Sequence, residues 1–349
     1  MSAQLTIALD AMGGDHAPAI VVEGAALALE RFPDARFQFH GAESQVKPLI
    51  DRVPGLARAA TIHHTEAVVT NEDKPSSALR QGRQSSMRLA IDAVRDGHAS
   101  AVISAGNTGA LMAMAKFALR TVPGIDRPAI ASYLPTLRGE SVMLDLGANV
   151  DCDAKILVQF AVMGEVFART VLGLAKPTIG LLNIGIEELK GNEQVKQAAQ
   201  MLRHSNLPIQ FHGFIEGDDI AEGTVDVVVT DGFTGNIALK TAEGTVKLFA
   251  GFLREALKNS VRGQIGYLIA KPAIEKMRER IDPRRYNGAI LVGLNGIVVK
   301  SHGGTDALGF ANAIGVGIDM AVHGFVDRIK DELERLKLDP QADSQAAVV

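Results

Sequence analysis

Lys190, Asn236, Asp231 and His16 each sit in a short turn of Gly, Asn and Asp that ends an apolar run and precedes a helix-like segment. The chain holds five such joints: DAMGGDHAP at 10–18, SAGNTG at 104–109, DLGANVD at 145–151, NIGIEELKGNE at 183–193 and TDGFTGN at 230–236. A strand ending in such a turn aims backbone N–H groups past the sheet edge, and the positive end of the following helix favours an anion there. Several joints converging would make a phosphate or phosphoryl site. In such a site Lys190 supplies a point charge, while Asn236 and the backbone after Gly232 supply neutral donors. Lys190 reads equally as a solvated surface lysine, and Asp231 as a turn former at a strand end. His16 is the best general-acid candidate, since histidine as a residue type exchanges protons near neutrality. A histidine capping the following turn is the competing reading.

The chain has no H-E-x-x-H, C-x-x-C, G-x-S-x-G or P-loop pattern, and no G-x-G-x-x-G after a strand. Zinc hydrolases, serine esterases, P-loop NTPases and ordinary nicotinamide enzymes are thereby set aside. The nine histidines do not cluster at ligand spacing, and the adjacent His63 and His64 fall on opposite strand faces. Cys152 lacks an evident base and reads as a small buried hydrophobe rather than a nucleophile. What remains is chemistry in which the bound anion itself attacks, and the protein positions it, polarises the electrophile and protonates the leaving group.

Around the joints, apolar runs read as strands at 5–9, 37–40, 61–63, 101–104, 130–134, 142–146, 178–184, 209–214, 225–230 and 288–299, the last as one strand or two short ones. Helical periodicity covers 20–31, 85–96, 109–119, 154–172, 193–204, 235–258 and 306–338. Alternation of this kind predicts a mainly parallel sheet covered by helices on both faces. With no repeat period and no linker, residues 1–338 are expected to form one three-layer α/β/α unit, followed by a disordered tail at 339–349. The segment 258–282 departs from the alternation. It is helical, with Val261, Ile265, Leu268 and Ile269 on one side and Lys258, Arg262 and Lys271 nearby. Such a stripe packs on the core or on a partner subunit, or meets a bilayer surface.

The 349 residues carry a net charge of −4, with 47% hydrophobic and 22% charged residues, so no global field advertises nucleic-acid binding. A single cysteine excludes an intrachain disulfide and fits a reducing cytoplasm. The N-terminal MSAQLTIALD has no basic n-region, and a secretory signal is not expected. The uncharged stretch 97–115 is rejected as a membrane span because a glycine-bracketed turn with Ser104, Asn107 and Thr108 interrupts it.

In order along the chain, ALDAMGGDHAP, SAGNTGALMA, DLGANVD, GLLNIG with E-x-x-K-G-N-E, VVVTDGFTGNIALKT and K-S-H-G resemble the PlsX family of acyl-carrier-protein:phosphate acyltransferases. The likeness spans nearly the whole chain. It implies a three-layer fold with a large mixed sheet, similar to isocitrate and isopropylmalate dehydrogenases and phosphotransacetylases, in a homodimer. It also implies the reaction of orthophosphate with a long-chain acyl-acyl carrier protein, giving acyl phosphate for a membrane glycerol-3-phosphate acyltransferase in phospholipid synthesis, with no metal or other cofactor. By position, Lys190 resembles the family's phosphate-binding lysine and Asn236 the asparagine near the same anion. His16, Asn107, Asp231 and Lys240 fall inside matching motifs, and Gly13, Gly14, Thr108, Gly109, Asn149, Glu187, Gly232 and Gly235 are the expected substrate contacts beside them. Ile186 stands where related chains often carry a polar or acidic residue. The basic residues from Arg254 to Arg280 suit an acidic carrier protein or a membrane, and the enzyme is expected in the cytoplasm, peripheral to a membrane. A phosphotransacetylase-like enzyme using acyl coenzyme A and a non-enzymatic membrane-surface scaffold are the alternatives; a hydroxyacid dehydrogenase of related fold ranks below them.

Overall fold

The computed structural model describes residues 5–205, 207, 209–282 and 284–337. The strands are β1 (Thr6–Asp10), β2 (Arg36–Gly41), β3 (Ala60–His64), β4 (Ala101–Ser104), β5 (Ala129–Pro135), β6 (Glu140–Leu144), β7 (Thr178–Leu182), β8 (Gln210–Ile215), β9 (Val227–Val229), β10 (Ala289–Val292) and β11 (Ile297–Lys300). They form one sheet in the order β3-β2-β1-β4-β11-β10-β5-β6-β9-β7-β8. Pairing is parallel except at β11/β10, β10/β5 and β5/β6. The mixed, mainly parallel sheet matches the expected fold class, and the 288–299 run resolves into two strands.

The helices are α1 (Ala19–Arg31), α2 (Glu43–Ile50), α3 (Pro54–Ala59), α4 (Pro75–Gln81), α5 (Ser86–Arg95), α6 (Thr108–Leu119), α7 (Ala154–Val171), α8 (Glu193–His204), α9 (Asp219–Glu222), α10 (Gly232–Lys258), α11 (Val261–Arg280), α12 (Ala307–Val322) and α13 (Phe325–Lys337). The sheet's inner residues alternate between two cores. Ile7, Leu9, Ile103, Leu144 and Val229 join one with α1, α7 and α12, while Ala8, Val102, Met143 and Val228 join the other with α5 and α6. Because both faces are buried, these strands read as continuous apolar runs.

Three expectations change. The helical pattern at 306–338 breaks at Gly324, whose φ of +61° is left-handed, and continues as α13. The short helices α2, α3, α4 and α9 escaped the periodicity, being at most eight residues long, with prolines at the start of α3 and α4. The core-packed reading of 258–282 fails, since α11 has no buried residue and Val261, Ile265, Leu268 and Ile269 are 73%, 54%, 70% and 78% exposed. Beyond its first two turns, where Ala238 and Leu239 pack partly on the second core, α10 likewise has no buried residue, and the two helices pack on each other. The stretch 97–115 is β4, its joint and the start of α6; among the described residues no single helix is long and apolar enough to cross a membrane. The tail at 339–349 and Leu338 lie outside the described residues.

Candidate active site

Strand order sorts the joints into two sets. Those at 145–151, 230–236 and 183–193 leave β6, β9 and β7, three parallel neighbours, side by side. Those at 10–18 and 104–109 leave β1 and β4, and K-S-H-G leaves the parallel neighbour β11. Between the sets lie β10 and β5, across which the strand direction reverses.

In the first set Asp145 is the anchor. Its buried carboxylate accepts from Ile130 N at 2.9 Å, Ala148 N at 3.0 Å, Asn149 N at 2.7 Å and Asn149 Nδ2 at 2.9 Å. Burial pushes its pKa up against the pull of these donors. Asn149 spends its other amide hydrogen on Pro128 O at 2.8 Å, so it braces the turn instead of offering donors to a substrate. Gly232 N donates to Asn149 O at 2.7 Å. A Cβ on Gly232 would lie 2.8 Å from Asp145 Oδ2, and one on Gly235 would overlap Asp145 O. Both glycines therefore serve the docking of α10 on this turn.

Asp231 is the N-cap of α10, accepting from Thr234 N at 2.8 Å and Thr234 Oγ1 at 2.9 Å. Asn192 and Asp153 cap α8 and α7 in the same way. A cap of this kind contributes about 1 kcal/mol to its helix. The three helix starts border a cavity of about 400 Å³ lined by Val150, Asp151, Cys152, Leu157, Asn192, Gln194, Val195, Asp231, Phe233 and Thr234. The first N–H groups of α8 and α10, uncapped at Gln194 and Phe233, are the kind that hold an anion. Burial, with Asp145 and Asp231 nearby, pushes the Cys152 thiol up to about 12, which disfavours the thiolate a nucleophile needs.

Lys190 and Asn236 are exposed, and their side chains take part in none of the described hydrogen bonds or ion pairs. Lys190 folds over Gly185, where an added Cβ would come 2.9 Å from Lys190 Cγ and 2.7 Å from Glu187 Oε2. The loop beneath is pinned by Asn183, whose Nδ2 donates to Gly185 O at 3.0 Å and Lys190 O at 3.1 Å. Asn236 lies over Gly147 of the β6 joint, 3.5 Å between Asn236 Cβ and an added Cβ. Lys240 is a departure. It lies one turn, about 6 Å, along α10 from Asn236 and pairs with Glu243 at 2.9 Å.

The second set holds a buried carboxylate, Asp10, and a half-buried ammonium, Lys300. Asp10 accepts from Ser86 Oγ at 2.6 Å and Ser104 Oγ at 2.7 Å, and burial raises its pKa. Lys300 is brought down to about 8 by burial, against the attraction of Asp10 and Asp15; its ammonium donates to Ala105 O at 3.3 Å and also to Ser301 O. Neither charge was singled out from the sequence, although each ends a strand, which is the available signal. Gly13 packs on Asp10, Gly14 on Ala105, and Gly109, after Thr108 in the first turn of α6, on Pro75. His16 is exposed in this set. Asn107 departs from the expected substrate contact: its Oδ1 caps α6 through Ala110 N at 3.1 Å, and its Nδ2 clamps the carbonyls of Thr70, Asn71 and Asp73.

A family model described as "Fatty acid synthesis protein" matches residues 5–328. A phosphate acyltransferase of Rhodospirillum centenum is 62% identical over 355 residues, covering 100% of both chains. One from Paramagnetospirillum magneticum is 61% identical over 347 residues, covering 99% of each. Among solved structures, a phosphotransacetylase from Streptococcus pyogenes is similar with a TM-score of 0.62 and 18% identity, over 92% of this chain and 95% of that one. At that identity the likeness is one of fold.

Proposed function

The chain belongs to the PlsX family of phosphate acyltransferases and is an acyltransferase enzyme, and from that premise we propose that its donor is a long-chain acyl group held as a thioester on acyl carrier protein. An oxygen of hydrogen phosphate attacks the thioester carbonyl carbon. A C–O bond forms, the C–S bond breaks, and the proton leaving phosphate ends on the carrier thiol. The acyl phosphate then feeds a membrane glycerol-3-phosphate acyltransferase in phospholipid synthesis.

The observation that carries this reading is a pair of uncommitted polar side chains, Lys190 and Asn236, on the adjacent joints of β7 and β9 beside the capped starts of α8 and α10. A lysine charge with several neutral donors suits a compact dianion. Glu187 stands beside Lys190 over Gly185. A thiolate leaves readily, so holding the reactants and excluding water from the acyl phosphate are the demanding tasks. His16, exposed on the second set, is assigned as proton donor to the thiol. Phosphate-dependent release of carrier thiol by the pure protein is the expected result, and folded protein that releases none would sink the proposal. The likeness to phosphotransacetylases supports a second reading with acyl coenzyme A as donor. The same assay with both thioesters separates the two.

The protein acts as a cytoplasmic homodimer that touches a membrane surface through Val261, Ile265, Leu268 and Ile269, which lie on one stripe of α11, exposed and flanked by Arg262 and Lys271. Leu268→Glu is expected to abolish flotation with anionic liposomes while thiol release continues. Flotation equal to that of the parent protein would count against this stripe.

A further inference from the structure

Six large apolar side chains stand exposed on the first set of joints and the start of α10. They are Val150 at 65%, Ile184 at 78%, Ile186 at 63%, Leu189 at 91%, Phe233 at 60% and Ile237 at 50%. Singly exposed apolar residues are common on protein surfaces, but a group gathered on adjacent turns marks a binding surface. These turns are adjacent because β6, β9 and β7 are neighbours in the sheet. Val150 and Phe233 continue the group into the cavity of about 400 Å³, whose wall also holds Leu157.

The loop bearing three of the six is held in place. Asn183 ties its two ends, and Glu188 is gripped by both terminal nitrogens of Arg203, at 2.7 Å and 2.5 Å. Arg203 in turn lies over Phe211 and Phe214, 5.8 Å from each ring centre. The apolar side chains are thus presented to solvent from an anchored frame, so the surface exists before any ligand arrives.

We infer that this surface takes the acyl chain of the thioester substrate and sets its preference for chain length. The inference rests on the proposed reaction and follows from connectivity. The carbonyl under attack must come within bonding distance of a phosphate held by Lys190 and Asn236. The first carbons of the chain then lie on the turns that carry those residues, where Ile184, Ile186, Leu189 and Phe233 offer the matching chemistry. A chain laid on them is removed from water, and so is the anhydride bond formed beside it.

The test is the double substitution Ile184→Ser with Leu189→Ser, assayed for phosphate-dependent thiol release from butyryl and palmitoyl carrier thioesters. Both positions are solvent-exposed and outside the core, so the thermal transition is expected to stay within a few degrees of the parent's. The expected result is a loss of about 10- to 100-fold in kcat/KM for the palmitoyl donor, from the binding worth of lost apolar contact. For the butyryl donor the loss stays below about threefold, and the KM for phosphate is unchanged. Equal loss for both donors, or none, overturns the inference. So does conversion of a dimeric parent to monomers by light scattering, which would assign the surface to a second copy of the chain. If the parent protein itself releases no thiol with phosphate, the proposed reaction fails instead, and the two failures are told apart.

Discussion

Lys190→Ala lowers kcat/KM for phosphate by roughly 10²- to 10³-fold, the scale seen when one preorganised donor is removed from a site of developing charge, and leaves the fold intact. The two halves of this expectation have separate causes. The ammonium of Lys190 is exposed and takes part in none of the described hydrogen bonds or ion pairs, so its removal unties no described side-chain contact. The loop is held through backbone carbonyls by Asn183 and through Glu188 by Arg203, and neither grip uses the Lys190 side chain. The check is a phosphate titration of thiol release alongside thermal unfolding. Wild-type kinetics in the variant would remove Lys190 from the site, and collapse of the unfolding transition would reassign it to structure. Lys190→Arg is expected to recover only part of the loss, because a planar fork does not reproduce a compact point charge.

Gly235→Ala is the second large effect, and here two forces oppose each other. Alanine in a helix is favoured over glycine by up to about 1 kcal/mol, so propensity alone predicts a more stable α10. The backbone decides otherwise. An added Cβ would overlap the carbonyl oxygen of Asp145 and come 2.9 Å from Thr230 Cγ2, and a carbonyl already fixed in the turn cannot rotate away as a side chain could. Overpacking of this kind costs on the order of 1–3 kcal/mol, enough to outweigh the propensity gain. The start of α10 also shifts off the Asp145 turn, and activity falls with it. Gly244→Ala on the same helix is the control. Nothing lies within 4 Å of its added Cβ, so it should gain about 0.5–1 kcal/mol. Urea unfolding of both variants reads the contrast, and a stabilised Gly235→Ala would refute the close approach.

Lys190 and Asn236 stand out as candidates because their turns are rich in Gly, Asn and Asp, the composition that favours an anion. Gly235 was legible as part of a joint, but the reason for its lack of a side chain is a carbonyl 90 positions earlier in the chain. The motifs make Asn107 an expected contact and Asp231 either a contact or a turn former, and both cap a helix whose first residue lies one position on. That difference turns on one residue of boundary, which periodicity alone does not fix. Cys152 was read as a small buried hydrophobe, and its burial near Asp145 and Asp231 gives the physical cause. Asp10 and Lys300 were missed because a charge at the end of an apolar strand looks like the strand's exit into water until its neighbours cover it.

By itself the sequence determined the longer elements, their alternation and the chemistry of the turns, because φ/ψ preference, side-chain period and capping act within a few residues. Only the tertiary structure decided which turns meet. The strands are buried on both faces and read as interchangeable apolar runs, so nothing local records that β9 inserts between β6 and β7 or that β11 returns beside β4. Those pairings bring residues 145, 183 and 230 together and put 10, 104 and 300 elsewhere. They also put the exposed apolar residues of three separate turns at the ends of neighbouring strands. Long-range pairing is settled by the total burial of both cores, a property of the whole chain that no single segment carries.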